Sequence, residues 1–182
     1  MALFYLLLIV FIGWLLFRHG KGEGIKKRIT GETEKEKYFN WLREIFVFKT
    51  DQEMLFIGAV NGAAGFFRPN KEKILEYVGR IEKIYSDILS QLIQRQPQVK
   101  QLLKLRQEAN LGDYLEEALA TPESYIAELI ESNQTWIKGI KMAAERGDSS
   151  AIINFLSEME RSIRTSKPIF ERWLNWFEKE RY

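Results

Sequence analysis

Sixteen residues at the N-terminal end of the chain, Ala2 to Phe17 (ALFYLLLIVFIGWLLF), carry no charge, no amide and no proline, and Arg18 ends the run. A helix of that length rises about 1.5 Å per residue and reaches about 24 Å, against a hydrocarbon core of about 30 Å. Leu, Ile, Val and Phe occupy every face, as lipid on all sides requires. Arg18 can snorkel to lengthen the span. Trp14 falls within a turn of the charged end, at headgroup depth, where an indole is favoured. The expectation is a single transmembrane anchor over residues 1–18. A cleaved signal peptide would carry basic residues before the apolar core and a small-x-small site after it. Here nothing basic precedes the core, and RHGKGEG follows. A buried core helix is the other alternative, but such helices usually keep one polar edge, and this segment has none.

The flanks set the orientation. Residues 18–30 hold Arg18, Lys21, Lys26, Lys27 and Arg28 against Glu23 alone, a net charge of +4, whereas residues 1–17 hold none. Basic residues stay on the cytoplasmic side, so the N-terminus is expected outside and the rest of the chain inside, in a cell membrane. The same basic cluster, together with Trp14, is expected at the membrane interface, against anionic headgroups. Gly20, Gly22 and Gly24 make residues 19–32 a short flexible linker. Outside residues 18–30 the chain has 22 basic against 24 acidic residues, a net of −2. The basic balance therefore belongs to the membrane collar, which argues against nucleic acid as a partner.

Residues 33–182 read as one helical domain with no strand pattern of useful length, so the fold class is all-α, with about six to eight helices. Thr33 and Glu36 form a capping box, followed by an aromatic-rich face of Tyr38, Phe39, Trp41, Leu42, Ile45 and Phe46. Val47 and Phe48 could be extended. Thr50 to Glu53 reads as a second capping box, opening the apolar stretch MLFIGAVNGAAGFF, which is too short to span a membrane. Within it Gly58, Ala59, Gly62 and Ala63 suggest close helix packing, with Gly58 and Gly62 as the contact points. The stretch lacks the Gly-Lys-Ser/Thr ending of a phosphate-binding loop.

Asn70 caps a helix to about Gln94, with a seam of Ile74, Val78, Ile81, Tyr85, Ile88 and Leu92. Pro97 starts the next helix, which Asn110 to Gly112 end, and Asp113 with Glu116 caps a short one. Thr121-Pro122 starts a helix whose stripe is Ile126, Leu129, Ile130, Ile137 and Ile140, bent or split by Ser132 to Thr135. Gly147 ends it. Asp148 or Ser149 caps a helix burying Ile152, Phe155, Leu156, Met159 and Ile163, and Ser166 with Pro168 starts the last. No second copy of any unit recurs at a 34-residue period.

Chemistry is sparse. There is no cysteine, and the single histidine, His19, lies beside the apolar run. This excludes thiolate sites, a Ser-His-Asp triad and paired-histidine metal or haem ligation, so no cofactor and no metal are expected. Glu116 with Glu117, and Glu158 with Glu160, read as solvated helix charges. Phe170, Trp173, Trp176 and Phe177 form a C-terminal aromatic face, a candidate for core burial or for docking a partner. The function expected is a membrane-anchored adaptor, scaffold or accessory subunit that binds another protein and has no evident small-molecule substrate. The alternatives are a membrane-bound enzyme assembled from dispersed carboxylates and arginines, and a helical component of a transport or secretion assembly. A pocket gathering such groups favours the enzyme; an apolar surface groove favours the adaptor.

Overall fold

The structure, a computed structural model, describes residues 33–65, 68–107 and 121–180, and all regular structure among them is α-helical. The residues read as anchor and linker, with the membrane-interface set Trp14, Arg18, Lys21, Lys26, Lys27 and Arg28, lie outside the described residues. So do Asn110 to Glu117. No helix among the described residues is long and apolar enough to cross a membrane.

The chain divides into two compact units, Met1–Lys37 and Tyr38–Tyr182. The described part of the first is a capped helical turn. Thr33 Oγ1 accepts from the Glu36 amide at 3.2 Å, and Glu36 Oε2 accepts from the Thr33 amide at 2.8 Å, so two orphan donors are satisfied reciprocally. Helix α1 runs from Glu34 to Ala64 without interruption. The break expected at Val47-Phe48 and the second capping box at Thr50 do not form. Glu53 is the reason: its carboxylate bonds to Lys49, Tyr85 and Asn133 instead of to the Thr50 amide.

Helix α2 (Lys71–Arg95) starts where Asn70 Oδ1 accepts from the Lys73 amide at 3.2 Å, and it buries all six residues of the expected seam. Helix α3 (Gln98–Gln107) follows Pro97 and buries Val99 and Leu102. Helix α4 (Pro122–Arg146) is capped by Thr121, with proline at its first position. The polar run Ser132 to Thr135 does not split it, because Asn133 finds its partner in the core. Gly147, at φ 73°, ends it in a Schellman turn: its amide donates to the Ala144 carbonyl, and the Asp148 amide to that of Ala143.

Asp148 then caps helix α5 (Ser149–Glu180), its Oδ1 accepting from the Ala151 amide at 2.9 Å. Ser149 has another task, donating to the Ala64 carbonyl at 2.9 Å and so closing the end of α1. The helix start expected at Ser166-Pro168 is absent, and α5 passes through Pro168. A proline there forfeits one helical hydrogen bond and crowds the preceding turn. One feature offsets the cost: Ile163, Ser166, Phe170, Leu174 and Phe177 continue one buried face across the proline. Merging at Thr50 and Ser166 leaves five helices among the described residues, fewer than the sequence suggests.

Within the second unit α4 is the hub, packing most extensively on α5 and also on α2 and α3. At Gly139 of α4 a Cβ would fall 2.6–2.8 Å from the Phe155 ring. The core includes Phe46 of α1 stacked on Phe170 of α5, with ring centres 4.0 Å apart and planes 4° from parallel.

Candidate functional site

A charged residue on an apolar helical stripe must find a partner inside, because an unpaired charge in the core is prohibitive. The buried stripe of α1 reads Phe46, Lys49, Glu53, Phe56, Val60, in steps of three and four. Lys49 and Glu53 are 1% and 0% exposed. The Lys49 ammonium lies 2.8 and 2.9 Å from the two Glu53 carboxylate oxygens. Glu53 Oε1 also accepts from the Tyr85 hydroxyl at 2.7 Å and from the Asn133 amide nitrogen at 2.5 Å. One carboxylate thus joins α1, α2 and α4. Burial, with the Glu53 charge beside it, raises the Tyr85 phenol well above its ordinary pKa. Asn133 Oδ1 has no partner among the described residues. The arrangement fixes helix register; it offers no access to a substrate.

A second carboxylate, Glu123, is buried in the first turn of α4. It accepts a hydrogen bond from the Tyr38 hydroxyl, and its Oε2 has no partner among the described residues. Burial raises its pKa. By contrast, Glu158 and Glu160 pair with Arg161 and Arg164 on the exposed side of α5, as solvated charges do.

The opposite side of α1 is apolar. In the second unit its exposed positions are Glu44, Val47, Phe48, Asp51, Met54, Leu55, Gly58, Asn61 and Gly62, a pattern that repeats every seven residues. Leu55 is 65% exposed and Phe48 49%. Beside this face α1 and α2 form an open groove of about 310 Å³, walled by Leu55, Phe56, Ala59, Tyr77, Ile81 and Ile84. Arg80, also at the groove, is held by Glu76.

The residues expected to matter fall in different places. Gly58 and Gly62 are exposed, and a Cβ on either would meet nothing within 4 Å, so among the described residues they make no close helix contact. The physical reason is the phase of α1, which Phe56 and Val60 anchor to the core and which turns both glycines outward. Gly139 makes the close approach instead. Of the C-terminal aromatics, Phe170 and Phe177 are buried, Trp173 is half-buried and stacks on Tyr125 and Phe177, and Trp176 is 46% exposed. Lys49 and Glu123 were not singled out from sequence, Glu53 was read only as part of a capping box, and Asn133 only as part of the polar run Ser132 to Thr135. The signal for Lys49, Glu53 and Asn133 was present, since each stands in register with an apolar stripe.

No protein-family model, curated protein or solved structure matches this chain.

Proposed function

We propose that the protein is a non-enzymatic adaptor: a helical domain held at the cytoplasmic face of a membrane by its N-terminal apolar segment, binding another protein there. The observation that carries this reading is the inversion of polarity across the middle of α1. Between Val47 and Leu55 the two charges that pair, Lys49 and Glu53, point inward, and four bulky apolar side chains point outward beside a single acid, Asp51. Solvent alone gives no reason for that arrangement, whereas a protein interface does. Both buried carboxylates, Glu53 and Glu123, are 0% exposed, so neither is presented to a substrate. The anchor rests on the uninterrupted apolar run of Ala2 to Phe17 and the basic collar after it.

Alkaline extraction of membranes, with a topology reporter fused after Tyr182, tests the tether. The full chain should stay in the pellet, and a reporter active only outside the cytoplasm should stay silent. Release into the supernatant would overturn the anchor, and an active reporter would reverse the orientation.

A further inference from the structure

We infer that the outer face of α1 docks a basic amphipathic helix of a different protein; this deepens the adaptor reading and rests on it. Within the second unit the exposed residues of α1 recur as Glu44, Val47, Phe48; Asp51, Met54, Leu55; Gly58, Asn61, Gly62. Because a helix returns the same face every two turns, Val47, Phe48, Met54 and Leu55 lie along one seam on which a second helix can pack. From Glu44 to Gly62 the seam is about 27 Å long at 1.5 Å per residue, enough for a helix of five turns. The middle positions supply the bulk in Val47, Phe48, Met54 and Leu55, and Gly58 and Gly62 let the partner backbone approach at one end. Beside the seam, the groove against Tyr77, Ile81 and Ile84 accepts a large apolar side chain from the partner.

Charge says which helix. Glu44 and Asp51, one repeat apart, are the only charged residues on the seam, and neither is paired among the described residues. The nearest basic group at the groove, Arg80, is already engaged by Glu76. Between Glu44 and Gly62 the seam has these two acids and no cation, which selects an occupant with lysine or arginine one repeat apart. Among the described residues, exposed α2 carries mixed charges instead, and exposed α5 carries Arg161, Arg164, Lys167, Arg172 and Lys179.

The test places the photoreactive residue p-benzoylphenylalanine at Leu55, and separately at Trp176, in the full chain in the cells that make it, and sequences the crosslinked peptides. The expected result is an adduct at Leu55 with another protein, through a segment with apolar residues at three- and four-residue spacing and cations a heptad apart. Combining Glu44→Lys with Asp51→Lys should cut that adduct severalfold. An adduct to a second copy or to lipid, a crosslinked segment without cations, or no effect of the charge reversals would overturn the inference. Adducts with another protein at Trp176 alone would overturn it while leaving the adaptor reading standing. Adducts at neither position would sink both.

Discussion

At the scale of single residues the stability of the domain turns on a few buried polar groups. Glu53→Leu strands the Lys49 ammonium in the core and should cost about 3–5 kcal/mol, read by chemical denaturation. Adding Lys49→Met leaves no charge buried at this centre and should restore much of that loss. A double variant as unstable as the sum of both singles contradicts the ion-pair account. Glu123 gives a pH signature. Burial raises its pKa above the ordinary 4.5, so the folded state binds the proton more tightly than the unfolded chain. Stability from this group is therefore full below about pH 4.5 and falls as pH rises through the raised value. Glu123→Gln should stabilise the domain at neutral pH, and the gain should vanish in acid. A gain confined to acid would reverse the sign and refute the argument.

At the scale of elements, two glycines and a proline separate packing from propensity. Gly139→Ala puts a methyl against the far end of the half-buried Phe155 side chain, so the ring must turn aside and the variant should gain less than alanine's helix propensity alone offers. Gly62→Ala meets open space and should be neutral or stabilising by up to about 1 kcal/mol, since alanine is the better helix former. Thermal melts should therefore rise less for Gly139→Ala than for Gly62→Ala; a loss of stability at Gly62 would place a close contact there after all. The sequence made most helix ends legible. Asn70, Thr121-Pro122 and Gly147-Asp148 act through local hydrogen bonds that their own side chains or backbone complete. It misled at Thr50 and at Ser166-Pro168 because a capping signal is only a local preference. At Thr50 three core partners outbid the cap for Glu53, and at Pro168 the continuous buried face outweighs the lost helical bond. The phase of α1 was hidden for the same reason: MLFIGAVNGAAGFF is apolar on nearly every side, so its pattern alone does not say which residues face the core.

At the scale of the molecule, the helical class and the α2 and α4 stripes follow from periodicity. The charged centre does not, because which helix supplies Tyr85 or Asn133 to Glu53 depends on long-range packing. Removing residues 1–24 should leave a soluble protein that unfolds cooperatively, since Thr33 caps α1 and the core lies within the second unit. An aggregated product would mean that the N-terminal segment covers part of the domain. The central claim is that the outer face of α1 is covered in its working state. The chain has no cysteine, so single introduced thiols report on it cleanly. With Leu55→Cys, and with Glu82→Cys on exposed α2 as control, labelling by a hydrophilic maleimide is compared between intact membranes and the detergent-purified chain. Leu55→Cys should be protected in membranes and reactive once purified, while the control reacts in both; equal labelling of Leu55→Cys in the two states would mean that the face is bare.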